Sequence, residues 1–287
     1  MQFREIKLSD KAVFDGCKAC KHFMGAERSF ACLYTWQYSY NVEVAMEDNL
    51  LFLRGGNSDE NAYYLMPIGC GDIRRGIEKI IEDAHSRGIK AVFRQIYEDD
   101  IKILKGEYGF EISEDRDMAD YVYNVDKMIS LAGKKLHSKR NFLNRFKQND
   151  YVFEEITAEN IEEAKEFALS TLAGKENTDD EELAIRLLMD NFDTLGQKGA
   201  VIKMDGRVIA VTAGEELNED TVVVHLEKAN PEIAGAYQAI NQMFLENCFA
   251  DKTYVNREED MGLEGLRKAK LSYYPDILLM KYTAKES

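Results

Sequence analysis

The clearest apolar and polar periodicity lies in the second half of the chain. Residues 151–156, Tyr-Val-Phe-Glu-Glu-Ile, alternate as a half-buried strand does. Thr157 stands where a helix cap belongs, and the helix expected to run to about Leu172 carries Ile161, Ala164 and Ala168 as its apolar stripe. A second helix is expected from Asp179 or Asp180 to about Phe192, with Leu183, Leu187 and Leu188 inward and a stop near Gly196. Three strands follow, at 200–204, 208–216 and 221–227. Asp205-Gly206 joins the first two, a pair suited to a two-residue hairpin, so these strands should lie antiparallel. A helix over 234–249, a strand at 253–256, a helix over 262–271 and a strand at 277–282 complete this half.

The first half reads in the same order. A strand at 2–6 precedes helices over 10–24 and 27–38, then strands at 42–47, 50–54 and 63–66. Asp72 caps a helix to Arg87 that should bury Ile73, Ile77, Ile80 and Ala84, and segments at 91–95, 98–104, 110–114 and 121–125 finish the series. Two passes through β-α-α-β-β-β-α-β-α-β point to a duplication whose halves scarcely share residues. The expected domains are 1–130 and 131–287, each an α/β (α+β) unit with a mixed sheet flanked by helices. A basic helix over 138–149 should connect or clamp them.

Composition sharpens this picture in three places. The 45% hydrophobic content can fill a sizeable core, and with three prolines and no Gly/Ser-rich stretch no flexible tether is visible. No run reaches the roughly 18 apolar residues of a membrane span, and the charged start MQFREIKLSDKAVF lacks the apolar centre of a signal peptide, so a cytoplasmic protein is expected. The five cysteines are therefore expected as reduced thiols. Cys17-Lys-Ala-Cys20 has the spacing of half a zinc site or of a redox dithiol, yet no second pair completes a metal tetrahedron. Finally, a net charge of −15 argues against a general nucleic-acid binder. Against that field, residues 134–147 (KKLHSKRNFLNRFK) carry Lys134, Lys135, Lys139, Arg140, Arg145 and Lys147 without an acid, with Phe142 and Phe146 expected as the buried stripe.

In element order and length each half resembles the GNAT N-acyltransferase superfamily. The resemblance becomes specific in the run Tyr254-Val-Asn256-Arg257-Glu258-Glu259-Asp260-Met-Gly262-Leu-Glu-Gly265-Leu-Arg267-Lys268-Ala-Lys270-Leu-Ser272-Tyr273-Tyr274-Pro275. It is similar to the signature of the phosphatidylglycerol lysyltransferase C-terminal domain family, many of whose members have no assigned function. The likeness extends to Lys139-Arg140-Asn141, Glu227-Lys228-Ala229 and Gly235-Ala-Tyr237 with Asn241, about residues 130–285. It implies tandem GNAT-like domains of the kind shared with Fem peptidoglycan transferases, which take an amino acid from aminoacyl-tRNA and place it on an amine or hydroxyl. The implied acceptor is a small molecule or a lipid headgroup.

The GNAT resemblance also implies where chemistry sits: the fourth strand splays from the fifth, freeing backbone groups to bind a carbonyl, and the next helix N-terminus faces the donor's phosphates. Here that corner runs from His225 to Gln238. A coenzyme A enzyme would show Gln/Arg-x-x-Gly-x-Gly/Ala, whereas this chain has Glu232-Ile-Ala-Gly235-Ala-Tyr237, which keeps one glycine and disfavours coenzyme A. Glu227, at the end of the central strand, suits a general base for an attacking ammonium or hydroxyl, or else a salt bridge with Lys228 or Arg257. Tyr237 would serve the leaving group. Asn256, Arg257 and Glu258 end the next strand, with Asp260 as a helix cap. Arg267 and Lys270, on one helical face, would hold a phosphate, a terminal adenosine or a carboxylate, or pair with Glu258 and Glu264. The basic helix with Lys139, Arg140 and Asn141 offers either an anion site for a tRNA acceptor end or a solvated face.

Two functions from different classes follow. One is an aminoacyl or acyl transferase, with aminoacyl-tRNA as donor. The other is a noncatalytic GNAT-like sensor that keeps the groove for a small molecule. No P-loop, Gly-x-Ser-x-Gly elbow or His-Glu-x-x-His motif supports phosphoryl transfer, hydrolase or zincin chemistry, and no metal ligand set is expected.

Overall fold

The computed structural model describes all 287 residues, which divide into two compact units. Unit 1 comprises Met1–Asp120 with Leu279–Ser287, and unit 2 comprises Tyr121–Leu278. The division falls ten residues before the 130/131 boundary read from the sequence, and the final strand serves the first unit rather than the second.

In unit 1 the strands β1 (Arg4–Glu5), β2 (Glu43–Glu47), β3 (Leu50–Gly55) and β4 (Tyr63–Tyr64) pair in turn, antiparallel. β5 (Ile68–Gly69) pairs with β3. β6 (Val92–Ile96) lies parallel to β4, and the strand Ile277–Lys285 lies antiparallel to β6. The helices are α1 (Lys11–Lys18), α2 (Phe30–Tyr40), α3 (Ile73–Ser86) and α4 (Glu98–Tyr108). α3 forms for the reasons visible in sequence: Asp72 accepts from the backbone N–H of Arg74 at 2.9 Å and of Arg75 at 3.3 Å, and Ile77, Ile80 and Ala84 are buried against Phe52, Tyr64 and Phe93. Gly109, at φ 73°, stops α4.

Residues 111–124 form one strand, β7 (Glu111–Asn124), where two short pieces were expected, and it crosses from unit 1 into unit 2 after Asp120. The reason for the misreading is that residues 113–117, Ser-Glu-Asp-Arg-Asp, are polar on both faces, so the alternation fades there.

Unit 2 then builds α5 (Val125–Ser130), α6 (His137–Phe146), β8 (Val152–Glu155), α7 (Ile161–Ser170), α8 (Asp179–Asp190), β9 (Lys198–Met204), β10 (Arg207–Glu216) and β11 (Thr221–Ala229). α9 (Ala236–Cys248), β12 (Tyr254–Asn256), α10 (Glu264–Leu271) and β13, the strand Ile277–Lys285 already met, complete it. The sheet order is β7-β12-β11-β10-β9-β8. Asp205 (φ 50°) and Gly206 (φ 73°) make the expected hairpin between β9 and β10. α9 is the core helix, with Ala239, Ile240 and Phe244 packed among Phe146, Val222 and Val255.

Several side-chain assignments change. α6 belongs wholly to unit 2, and it turns Leu143 and Phe146 inward while Phe142 is 45% exposed, because the i, i+3 pair rather than the i, i+4 pair faces α9. In α8 the buried face is Ala184, Ile185, Leu188 and Met189, leaving Leu183 exposed. Asn160, not Thr157, occupies the cap position of α7. Among the cysteines, Cys20 and Cys70 form a disulfide with Cα atoms 5.4 Å apart, which overturns the expectation of five free thiols. The fold places the end of α1 beside the residue following β5, a proximity that 50 residues of sequence separation conceal. Cys17, Cys32 and Cys248 are free, and burial pushes the Cys17 thiol up.

Candidate active site

A cleft of about 460 Å³ lies on the edge of unit 1 near β1 and β2, but its charged groups Arg4 and Asp10 satisfy each other at 2.8 Å. The side chains that converge with unlike charge and partial access lie in unit 2, where β11 and β12 part.

Those two strands pair in parallel only over Thr221, Val222 and Val223, opposite Tyr254, Val255 and Asn256. β12 then stops, while β11 continues through residues 224–229, hydrogen-bonded only to β10. Along that stretch the pairing slips: Ala213 faces Leu226 but Gly214 faces Val224, so His225 is the extra residue of a bulge. Because β12 ends at Asn256, the edge of β11 beyond the bulge is left uncovered as a wedge. Glu227 stands on its β11 side and Arg257 on its β12 side.

Glu227 is held from two directions. Arg257 Nη2 lies 2.6 Å from Oε1, and Asn241 Nδ2, reaching up from α9, donates to Oε2 at 2.8 Å. Burial would lower the Arg257 pKa, but the Glu227 carboxylate outweighs it, so the guanidinium stays charged. That guanidinium also lies over the Tyr273 ring at 5.2 Å and near Tyr123 at 6.0 Å. Lys139, from α6, covers Tyr273 at 4.3 Å, and its pKa is lowered by burial and by repulsion from Arg257. Burial raises the Tyr273 hydroxyl to about 12, against the opposing pull of Arg257 and Gln238. Two cations, a carboxylate and a protonated phenol therefore meet in one partly buried pocket. Lys228, the next residue on the strand, points to the opposite face and pairs with Glu181 of α8.

Below this group a second set builds the loop that carries Arg257. His225 is clamped between Glu258 (Nδ1, 2.8 Å) and Glu215 (Nε2, 3.1 Å). Burial alone would disfavour the imidazolium, but the two carboxylates prevail and raise its pKa to about 9. Glu258 adopts φ 58°, and its N–H donates to Asn256 Oδ1 at 2.7 Å. Asp260 is fully buried and accepts from Arg267 through Nε (2.8 Å) and Nη2 (2.7 Å), from the Tyr121 hydroxyl and from Gly262 N at 2.9 Å. Although burial pushes the other way, these donors hold the Asp260 carboxyl well below the usual carboxylate range. Lys270 donates to the Glu259 carbonyl. Thus Asn256, Arg267 and Lys270 bind the loop itself. Asp260 secures the turn before α10, where Leu263 takes the cap position.

The remaining candidates lie apart from the wedge. Arg140 donates to the carbonyls of Leu131 (2.5 Å) and Gly133 (3.2 Å), and Asn141 is exposed on α6. Gly235, at φ 89°, precedes α9, and a Cβ there would overlap the Phe142 carbonyl oxygen of α6, so the close approach this glycine permits is taken by a helix. Tyr237 is exposed on the first turn of α9. Tyr273 was missed as a site residue because an aromatic beside Tyr274-Pro275 reads as core; its place within the signature run was the available signal.

Residues 20–285 match the family described as phosphatidylglycerol lysyltransferase, C-terminal. A conserved protein of unknown function from Bacteroides thetaiotaomicron is 33% identical, each chain covered completely, with a TM-score of 0.91. L-PGS from Bacillus licheniformis is 18% identical over 88% of this chain and 87% of its own, with a TM-score of 0.67. FemX is 10% identical over 99% of this chain and 97% of its own, at 0.64. An uncharacterized protein of Mycoplasmoides gallisepticum is 24% identical over 201 residues, 66% of this chain but 65% of that protein, so this match spans less than two-thirds of the relative's length. No helix is long and apolar enough to cross a membrane. The fold is the tandem GNAT-like and Fem-like one, a mixed sheet flanked by helices. With nearly its whole length matched, the chain belongs to the phosphatidylglycerol lysyltransferase C-terminal family.

Proposed function

We propose that unit 2 moves an amino acid, carried as an ester on the end of a tRNA, onto an amine or hydroxyl of a small molecule or lipid headgroup. The observation that carries this reading is the Glu227 carboxylate at the mouth of the β11/β12 wedge, with Arg257 and Lys139 beside it. With the Arg257 guanidinium 2.6 Å away, the Glu227 carboxylate is engaged while the pair is closed. An anionic group on the donor competes for Arg257, and Glu227 is then released to accept the proton of the attacking amine or hydroxyl. The new C–N or C–O bond forms as the ester C–O bond breaks. The departing oxygen takes a proton from Tyr273 inside the wedge, and backbone amides of residues 224–229 receive the charge on the carbonyl oxygen.

α6 supports the choice of donor. Its cations and those just before it, Lys134, Lys135, Lys139, Arg145 and Lys147, make no ion pair, although the chain as a whole is at −15. An unneutralised basic helix beside the wedge suits a nucleic-acid backbone. Coenzyme A is the weaker alternative, since Glu232 and Tyr237 stand where its phosphates would want a cation and a small residue.

Incubation with charged tRNAs and a metabolite extract, read by mass spectrometry, tests the reading. An acceptor should gain the mass of an aminoacyl residue with the wild type and not with Glu227→Gln. No mass gain, with the variant indistinguishable from wild type, defeats it. A noncatalytic sensor is the second reading, favoured by the fact that Glu227 is already satisfied by Arg257 and Asn241. Stabilisation by a small ligand without turnover would select it.

A further inference from the structure

Unit 1 has a strand opening of its own, and that opening is filled from within. β4 and β6 pair at one position, Tyr64 with Phe93, and then part. Just beyond, the Met66 carbonyl accepts Arg28 Nη1 at 3.1 Å, and Arg28 is 1% exposed. Glu27 accepts from Arg28 Nε at 3.1 Å and from the Tyr97 hydroxyl, and it lies 3.0 Å from Lys281. Lys281 also binds Asp120 at 2.7 Å, and Asp120 accepts the Ala26 N–H at 2.9 Å. Lys281 and Arg28 outweigh the cost of burial and keep the Glu27 pKa low, so the filling is a charged, ion-paired cluster.

The side chains that fill the opening, Glu27 and Arg28, sit at the end of segment 19–28, most of which has no regular structure. Two ties join this segment to residues 65–70, which line the opening: the Arg28–Met66 hydrogen bond and the Cys20–Cys70 disulfide. Both cysteines are exposed, and Lys21 and His22 follow Cys20 directly. An exposed disulfide is open to attack by thiolate, and the adjacent Lys21 ammonium favours the thiolate that re-forms it. Cys17, one turn earlier, is buried with its thiol pushed up, which leaves it a poor competitor.

We propose that Cys20–Cys70 is a thiol–disulfide exchange site through which a low-molecular-weight thiol/disulfide couple of the glutathione type sets how tightly segment 19–28 seals the N-terminal opening. This is independent of the transfer reading for unit 2. In the closing direction one protein thiolate attacks the reagent disulfide, forming a mixed disulfide and releasing one thiol. The second protein thiolate then attacks the protein sulfur of that mixed disulfide and expels the other thiol. Two protein thiols thus give up two electrons and two protons, and one reagent disulfide becomes two thiols. In the opening direction segment 19–25 loses its covalent tie and keeps its noncovalent ones, among them the Lys21–Asp100 ion pair at 3.7 Å and the buried Phe23.

The experiment equilibrates the full chain in glutathione buffers of graded ratio, then reads thiol alkylation and hydrogen exchange by mass spectrometry. Cys20 and Cys70 should become alkylated together in one transition that the other cysteines do not join. In the reduced form, amides in 19–28 and 65–70 should exchange about tenfold faster or more, with β9–β11 unchanged. Cys70→Ser should show the fast pattern in every buffer. The proposal is overturned if both cysteines alkylate at every ratio, if Cys17 replaces Cys70 as the partner, or if exchange in the two segments ignores the redox state.

Discussion

Arg257 and Glu227 face each other across the wedge where β11 and β12 part, joined by one hydrogen-bonded ion pair at 2.6 Å. Each is mostly buried, so removing one strands the other. Arg257→Ala should weaken donor binding by about 1.5–3 kcal/mol, the range of a charge-assisted hydrogen bond, and also lower stability because Glu227 keeps only Asn241. A double-mutant cycle with Glu227→Gln, followed by urea unfolding, should give a coupling energy of roughly 0.5–3 kcal/mol. Additive effects would mean that the pair contributes nothing to the fold.

Arg267 is expected to behave differently. Two hydrogen bonds tie it to Asp260, so Arg267→Ala should unfold at lower temperature while the folded fraction binds donor as the wild type does. Asp260→Ala, which deprives Arg267, Tyr121 and the Gly262 N–H of their acceptor, should cost about 3–5 kcal/mol. Because the folded Asp260 pKa is depressed, its contribution is present above the unfolded value of about 3.9 and is lost as pH falls through the folded one. Urea midpoints measured from pH 7 down to acid should fall less steeply for Asp260→Asn than for the wild type.

His225 gives the opposite slope. Its folded pKa, raised from 6.5 to about 9, means that the stability it adds is complete below pH 6.5 and is lost as pH rises through 9. Unfolding free energy should therefore decline between those values in the wild type and stay flat in His225→Gln. Equal slopes in the two proteins would show that the imidazole is not charged between Glu215 and Glu258.

At Gly235 the expectation is steric. Gly235→Ala puts a methyl group into the Phe142 carbonyl and strains a left-handed backbone, for a loss of about 1–3 kcal/mol. Faster amide exchange in α6 should accompany it. If the variant is as stable as wild type, α6 can withdraw, and the glycine is then free to serve a ligand.

The order of elements was legible because periodicity and turn chemistry are local. Asp205-Gly206 announces its hairpin, and Asp72 announces α3. Pairings through non-local geometry were not. Arg267 was offered Glu258 and Glu264, neighbours in a helical register, but positive φ at Glu258, Met261 and Gly262 turns the chain so that Asp260 faces it instead. Lys139 and Tyr273 meet across 134 residues, and nothing in either one's vicinity signals the other. Glu227, Asn241 and Arg257 were each singled out from the family signature; their convergence on one carboxylate depends on β11, α9 and the end of β12 meeting in three dimensions.

Residues 279–287 complete unit 1, and among them Lys281 is the counter-ion of the buried Glu27 and Asp120. On a ribosome, the N-terminal unit therefore waits with two carboxylates and no lysine until unit 2 has been made. Its maturation is coupled to synthesis of everything between, and a nascent chain arrested before residue 279 would hold a complete unit 2 and a first unit still open along β6. Limited proteolysis of stalled chains of increasing length should show residues 121–278 becoming resistant before 1–120.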